Sequence, residues 1–294
     1  MTTLARRLSN AGAILCYHNV VPEGVPSPWD RVGVHMPLAA FERQMRWLAR
    51  NYDVIPLADH VRRVRRGGSL RGVAAVTFDD GYRGVFDYAW PLLQSLSIPA
   101  TVFIVADAPG HDEAFWWDDL EVLYAYSPAR RQHWLTALRG DGATIVKSLA
   151  PSPVPRRSPP PHGPPPWCKP ATWQAIKEAA VSGLQLGAHS ATHRSLPALE
   201  EADLRREAVE SRNIIRRCTG VTPEFFAYPY GLSNDRVRQA VRAAGYGAAF
   251  SLEDGHPRAT VDHWAVSRVN VPAGIEDAAF EAWTAGLNLR RLRA

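Results

Sequence analysis

The chain has 294 residues, of which 46% are hydrophobic and 21% charged, and its formal net charge is +5. This size is sufficient for a sizeable core, and no window approaches the roughly 20 apolar residues that a transmembrane helix needs. The three cysteines are too few for a disulfide framework, and the arginine runs at residues 62–66 and 290–293 lack a nucleic-acid recognition motif, so we expect no nucleic-acid partner.

The N-terminal segment resembles a signal peptide only in part. Arg6 and Arg7 precede a short apolar stretch, which Tyr17 and His18 interrupt before a signal-peptide core is complete. We therefore expect a cytoplasmic location. Cys16 lies inside this apolar stretch and is expected to be a small core residue rather than a nucleophile.

Short apolar runs alternate with helical patterns along most of the chain, which favours βα units and a parallel sheet. Helices are predicted from Thr172, over about residues 202–218 with a stop at Gly220, and from an N-cap at Ser233 to Gly245. The predicted strands cover residues 13–17, 73–78, 101–105, 184–187, 225–227, 248–250 and 265–269. We expect one α/β domain over residues 1–294, with the size of a single barrel.

Residues 110–170 interrupt this pattern and are interpreted as an aromatic and proline-rich insertion beside the barrel mouth. Ten prolines between Pro151 and Pro170 exclude a helix interior or a paired strand, which predicts an exposed loop. Trp116 and Trp117 are candidate platforms for a sugar ring, as is Trp167, since aromatic faces suit a partly wet rim. Packing in the core is the alternative for each of them.

Two adjacent carboxylates, Asp79 and Asp80, stand where the buried strand 73–78 emerges into a loop. In an α/β barrel this position faces the active-site mouth. The two acids would repel each other unless a cation neutralised one, which would free the other to act as a base. The alternative is a strand that ends in an ordinary Asp-Gly turn.

Two histidines four residues apart, His189 and His193, follow the predicted strand 184–187. Histidines with this spacing can both face one metal ion, and imidazole suits zinc and its first-row neighbours. With one of the two acids they would form a two-His one-Asp set that leaves a position open for water, as in a catalytic metal site. Each histidine alone could instead be structural.

Together, Thr77-Phe78-Asp79-Asp80-Gly81 and His189-Ser190-x-x-His193 resemble the polysaccharide deacetylase family, also called the NodB-homology domain or carbohydrate esterase family 4. The resemblance covers roughly residues 14–271. It implies a deformed (β/α) TIM-like barrel with about seven parallel strands. It also implies one divalent metal ion, with zinc first and Co²⁺, Ni²⁺ or Fe²⁺ as alternatives.

The resemblance also implies roles for individual residues. Asp79 resembles the catalytic base, and the metal ligands correspond to Asp80, His189 and His193. Tyr230, in Tyr228-Pro229-Tyr230-Gly231, resembles the residue whose backbone N–H binds the oxyanion and substrate.

Two departures from the family pattern concern the arginine that holds the base and the histidine that acts as general acid. Ala227 occupies the usual arginine position, and we predict that Arg268 supplies the guanidinium instead. The usual late histidine is absent, and we predict that His18 donates the proton to the leaving group. The alternatives are a structural role for His18, or the use of His256 or His263 in its place.

The sequence therefore predicts a metal-dependent N-deacetylase, a hydrolase of carbon–nitrogen bonds that acts on an N-acetylated amino sugar in a glycan or a lipid- or nucleotide-linked conjugate. The alternatives are a deformylase or another amidohydrolase on the same scaffold, and a catalytically silent glycan-binding module. Four intact site residues disfavour the silent module. The linkage, chain length and carrier of the substrate are not encoded in any motif.

Overall fold

The computed structural model describes residues 12–24, 29, 33–149, 164–252 and 262–287. Its strands are β1 (Ala13–Tyr17), β2 (Asn19–Val21), β3 (His35–Pro37), β4 (Asp53–Val54), β5 (Val73–Phe78), β6 (Ala100–Ile104), β7 (Gln185–Ala188), β8 (Phe225–Ala227), β9 (Ala248–Ser251), β10 (Val266–Ser267) and β11 (Val269–Asn270). Its α-helices are α1 (Leu38–Asn51), α2 (Leu57–Arg65), α3 (Trp90–Ser95), α4 (Leu120–Ala125), α5 (Pro128–Thr136), α6 (Gly142–Leu149), α7 (Trp173–Val181), α8 (Glu201–Thr219), α9 (Asp235–Ala243) and α10 (Asp277–Thr284).

A parallel sheet forms the centre of the molecule. Its strands follow one another in the order β10-β9-β8-β7-β6-β5-β1-β11, and β4 pairs separately with the start of β5. The two edge strands, β10 and β11, are consecutive in the chain and are separated only by Arg268. The sheet is thus nearly closed into a barrel surrounded by helices, which confirms the predicted fold class.

Alternation along the strands determines which side chains face the barrel interior. Ile14 and Ala75 belong to the inner apolar cluster, whereas their chain neighbours pack in the larger cluster beneath the helices. The same alternation directs Cys16 and Thr77 inward, nearer the carboxyl ends of β1 and β5. The inner layer therefore changes from apolar to polar toward that end of the barrel.

Six of the seven predicted strands agree with the structure to within one residue at each end. The seventh is divided at Arg268, and the short strands β2, β3 and β4 were not predicted. Helix α8 ends where predicted, at Gly220, whose φ of 80° is left-handed. The N-cap of α9 is Asn234 rather than Ser233, because its side chain accepts a hydrogen bond from the Val237 N–H at 3.0 Å.

The insertion contributes α4, α5 and α6, and most of its proline segment lies outside the described residues. For its end, the exposed-loop prediction is wrong, since residues 166–168 form a 3-10 helix with Trp167 and Cys168 buried. The Trp167 ring packs 5.2 Å from the His35 ring, and its carbonyl accepts a hydrogen bond from Asn19 at 2.8 Å. A sugar platform at Trp167 is therefore incompatible with its burial.

None of the described helices has the length and apolar character required to cross a membrane.

Candidate metal centre and active site

Four of the predicted site segments follow strands of the parallel sheet. His18 follows β1, Asp79 and Asp80 follow β5, His189 follows β7, and the turn that contains Tyr230 follows β8. Parallel strands end at the same edge of a sheet, so these side chains meet at one end of the barrel, where α/β barrels place their active sites. They line a common cavity of about 660 Å³.

Three predicted ligands converge on one point. Oδ1 of Asp80 lies 3.5 Å from Nε2 of His189 and 3.4 Å from Nε2 of His193. Donor atoms that bind one tetrahedral ion at about 2.0–2.2 Å lie about 3.3–3.6 Å from each other. Within the described part of the chain, this buried Oδ1 has no hydrogen-bond partner. The three residues fit a divalent cation.

Hydrogen bonds to the other ring nitrogens orient both imidazoles. Nδ1 of His189 lies 2.8 Å from the Ala227 carbonyl oxygen, which can only accept. The Tyr230 hydroxyl donates to the His193 carbonyl at 3.1 Å, so it can accept from Nδ1 of His193 at 3.2 Å. The Nε2 atom of each histidine therefore directs its lone pair toward the point where the three candidate ligands converge. Hydrogen bonds to the other ring nitrogen commonly orient metal-binding histidines in this way.

The charge states of the three residues agree with a cation site. Burial, followed by the charges of Asp79 and Asp118, raises the pKa of Asp80, and the positive charge of Arg268 offsets this only in part. Burial lowers the pKa of His189 and His193 and keeps both imidazoles neutral, the form that binds metals. A divalent cation would supply the missing positive charge.

Asp79 is held by Arg268 in a bidentate ion pair. Nη1 and Nη2 of Arg268 donate to Oδ1 and Oδ2 of Asp79, each at 2.7 Å, and both side chains are buried. Burial alone would raise the pKa of Asp79, but the adjacent Arg268 guanidinium outweighs it and holds this pKa well below its ordinary value. Asp79 is thus ionised at neutral pH. Its role as a base stays a prediction.

Cys16 also contacts Asp79, which the sequence did not indicate. Its thiol donates to Oδ2 of Asp79 at 3.4 Å, and burial raises the pKa of the thiol well above its ordinary value. A neutral thiol can donate this bond but is a poor nucleophile. The expectation that Cys16 is no nucleophile therefore agrees with its environment.

His18 lies beside Asp79, with a ring nitrogen within 4.8 Å of a carboxylate oxygen. Burial lowers the pKa of His18 to about 4, so its imidazole is neutral at pH 7. A neutral imidazole must first receive a proton before it acts as a strong acid, and the general-acid role stays a prediction. His263 does not line the cavity, and His256 lies outside the described residues.

The insertion forms one wall of the cavity. Trp116 and Trp117 line it, and the Trp117 ring lies 4.4 Å from the His193 ring. The wall also includes Tyr124, Tyr126 and Arg131, and both tyrosines are more than half exposed. An aromatic wall that reaches His193, a candidate metal ligand, suits a bound molecule with apolar ring faces.

Backbone strain is concentrated in the site. Asp80, Ser190, His193 and Tyr230 have φ between 59° and 70°, a left-handed region that non-glycine residues seldom adopt. Such strain persists only where surrounding contacts enforce it. In the His189–His193 loop, three hydrogen bonds are accepted by a residue that the sequence did not identify.

Glu207 holds this loop from α8. Its buried carboxylate accepts hydrogen bonds from the Ala191 and Thr192 N–H groups, both at 2.9 Å, and from the Thr192 hydroxyl. Glu207 lies three residues after Leu204, on the apolar face of the helix. An acidic residue on the apolar face of a predicted helix was the feature of the sequence that could have identified Glu207.

We expect Glu207→Ala to weaken metal affinity by about 10- to 100-fold, because the loop loses three hydrogen bonds that hold its strained conformation. Glu207→Gln should weaken it less, since its amide oxygen can still accept from the two N–H groups. Competition with a chelator measures affinity, and Glu210→Ala, an exposed acid on the same helix, is the control. Wild-type affinity in a Glu207→Ala protein that merely melts earlier would contradict the assignment.

The sequence of the chain is similar to those of known proteins. A sequence model of the family described as polysaccharide deacetylase matches residues 67–249. The poly-β-1,6-N-acetyl-D-glucosamine N-deacetylase of Escherichia coli strain K12 is 25% identical over 280 residues, which cover 84% of this chain and 34% of that protein. The chain thus spans about a third of the length of this relative.

Two solved structures share the fold. IcaB from Ammonifex degensii has a TM-score of 0.65 at 19% identity, over 94% of this chain and 98% of that chain. The Streptococcus pyogenes deacetylase PplD in complex with acetate has a TM-score of 0.64 at 16% identity, over 90% of this chain and 94% of that chain. The family match includes Asp79 and the three metal-ligand candidates but not His18 or Arg268.

Proposed function

We propose that this chain, which belongs to the polysaccharide deacetylase family, is a metal-dependent N-deacetylase of an N-acetylated amino sugar in a glycan. The family places it among hydrolases of carbon–nitrogen bonds, in agreement with the sequence-based prediction. The proposal adds metal dependence, the residues that carry the reaction and the acetylated sugar as the substrate.

One observation carries the proposal. Oδ2 of the ionised Asp79 lies 3.9 Å from Nε2 of His189, one of three ligand atoms that fit one cation, and all of these residues line one cavity. Asp80, His189 and His193 would hold the ion, with zinc as the first candidate. A silent glycan-binding module would need neither the convergent ligands nor a buried acid fixed by Arg268.

The reaction is assigned to residues around the cation site. When bound, a divalent ion polarises the acetamido carbonyl and makes water a stronger acid. Asp79 takes a proton from the attacking water, and the backbone N–H of Tyr230 stabilises the negative charge that develops on the carbonyl oxygen. His18 receives the proton that Asp79 has taken and delivers it to the departing amine. Acetate and a free amino sugar result.

The proposed substrate is based on what two similar proteins are named for or contain. The Escherichia coli relative is named for poly-β-1,6-N-acetyl-D-glucosamine, and the S. pyogenes structure holds acetate. We therefore take a β-1,6-linked N-acetylglucosamine oligomer as the first substrate, with Trp116 and Trp117 against its ring faces. Lipid-linked and nucleotide-linked amino sugars are alternative substrates for the same reaction. Residues 1–294 are proposed to act as one domain.

The test is a product screen with the full chain reconstituted with Zn²⁺, Co²⁺ or Ni²⁺. We expect acetate release from acetylated oligomers, loss of release in a chelator, and recovery on return of the ion, because the ligands would then reassemble the site. The panel contains β-1,6- and β-1,4-linked oligomers, UDP-N-acetylglucosamine and a formamido sugar. His189→Ala is the inactive control.

The products separate the alternatives. Release of formate from the formamido sugar without any release of acetate would replace the proposal with a deformylase. Oligomer binding without either product, at full metal occupancy, would favour a binding module. Acetate release that persists in His189→Ala would place the reaction elsewhere.

A further inference from the structure

A second buried polar cluster lies beside the metal centre, outside the residues assigned to the reaction. Oδ1 of Asp118 accepts from Nε2 of His35 at 3.0 Å, and Oδ2 accepts from the Tyr82 hydroxyl at 2.7 Å. The Asp118 carbonyl also accepts from Nε1 of Trp29 at 3.1 Å. These residues join β3, the loop after β5 and the insertion, far apart in sequence.

The hydrogen bonds have one consistent direction. The Asn19 amide donates to Nδ1 of His35 at 3.0 Å, so the His35 proton resides on Nε2 and is donated to Asp118. Both oxygens of Asp118 and both nitrogens of His35 are thereby engaged. Although Cys168 lies close enough for a three-residue metal group, this cluster is better described as a hydrogen-bond network than as a second metal site.

The network ends at the metal centre. Nε1 of Trp117 donates to the Tyr82 hydroxyl at 2.6 Å, while the Trp117 ring stacks on Phe115 with centroids 4.7 Å apart and planes 9° apart. The Trp117 ring also contacts the His193 ring at 4.4 Å and the Trp116 ring, edge-on, at 5.5 Å. Trp117 can rotate only by breaking the bond to Tyr82.

We propose that Tyr82 and Asp118 are positioning residues that fix the Trp117 indole against His193, so that the substrate sugar meets a preformed aromatic wall. This inference rests on the proposed function for its kinetic consequence. Its structural part, the coupling of Tyr82 to Trp117, is measurable without any substrate. Aromatic rings contribute most to binding when their orientation is set in advance.

The test compares Tyr82→Phe with Tyr246→Phe. Both remove one buried hydroxyl that makes two hydrogen bonds, but the Tyr246 hydroxyl bonds to Ser211 and to the Ala208 carbonyl on α8. Indole N–H signals of ¹⁵N-tryptophan protein, assigned with Trp117→Phe, report the bond directly. Tyr82→Phe should shift the Trp117 signal and speed its exchange with solvent at least tenfold, whereas Tyr246→Phe should leave it unchanged.

Kinetics give the second readout. Tyr82→Phe should raise KM for the acetylated oligomer about five- to tenfold with kcat within about twofold, as expected for one lost buried hydrogen bond. Trp117→Phe should raise KM at least as much, because it removes the same bond and also part of the ring that faces the sugar. The double variant should be no worse than Trp117→Phe alone, since the bond is already absent. Additive effects of the two substitutions would overturn the proposal.

The outcomes separate this inference from the proposed function. An unchanged Trp117 signal in Tyr82→Phe overturns the positioning role, whatever the enzyme hydrolyses. A shifted signal with no acetate release in the wild type supports the coupling and contradicts the proposed function. Equal KM changes in Tyr82→Phe and Tyr246→Phe would reveal a general loss of stability and would overturn the proposal.

Discussion

Asp79→Asn should retain the divalent ion and reduce turnover by about 10²- to 10⁴-fold, because the proton acceptor is lost while all three proposed ligands remain. Asp80→Asn should lower activity as well, but through metal affinity, which should weaken at least about tenfold. Metal content by mass spectrometry and acetate release, measured on the same samples, distinguish the two roles.

Stability requires its own control in this experiment. Asp79 is the bidentate partner of Arg268, and removal of its charge leaves a buried guanidinium without a counter-ion, which costs about 3–5 kcal/mol. The double variant Asp79→Asn with Arg268→Met removes both charges and should recover part of this stability. It should stay inactive, since no base is restored.

Two results would contradict the division of roles. Equal metal content with equal loss of activity in Asp79→Asn and Asp80→Asn would make the two acids equivalent. Recovery of turnover in the double variant would show that instability, rather than the missing base, caused the loss.

The grouping of the candidate metal ligands was predictable because these residues come directly after buried strands. Asp79 and Asp80 follow β5, and His189 follows β7, so the rule that parallel strands end at one edge placed them together without any knowledge of distances. The apolar run that predicts a strand also predicts the residue at which the strand ends. The same reasoning placed His18 at the cavity.

The supporting contacts were less predictable, because no local pattern joins their residues. Tyr82, Asp118 and His35 come from separate elements, and their hydrogen bonds span 36 and 83 positions of the chain. The buried end of the proline segment was missed for a related reason. Proline excludes regular structure but does not exclude burial, and Trp167 supplies enough apolar surface to pack a 3-10 helix.

The position of Arg268 depends on how the barrel closes. The sequence predicted one strand over residues 265–269, whereas the structure has β10 on one edge of the sheet and β11 on the other, with Arg268 between them. The Arg268 N–H donates to the Ser251 carbonyl at 3.1 Å, and its guanidinium lies 5.1 Å from the Phe103 ring centroid. The closing residue thus projects into the barrel toward Asp79.

Arg268→Met should move the acidic limb of the pH–rate profile to higher pH without changing metal content. In the wild type the guanidinium offsets the burial that would otherwise raise the pKa of Asp79. Without it, burial prevails and this pKa rises, so a larger fraction of Asp79 is protonated at a given acidic pH. Since only the ionised carboxylate accepts a proton, kcat/KM should fall at a higher pH than in the wild type and recover as pH increases.

Arg268→Met should also lower the free energy of unfolding. Unlike the loss of activity, which is greatest at acidic pH, this loss of stability should be greatest near neutral pH. A wild-type Asp79 whose folded pKa is depressed contributes stability above its unfolded pKa, about 3.9, and loses it as pH falls through the folded value. In the variant the folded pKa exceeds the unfolded one, so the deficit in unfolding free energy should widen from acidic toward neutral pH. Arg238→Met, which breaks the surface pair with Asp262 at 3.1 Å, is the matched control and should show neither effect. An unshifted acidic limb with a pH-independent deficit would mean that Arg268 supports the barrel seam but does not set the ionisation of Asp79.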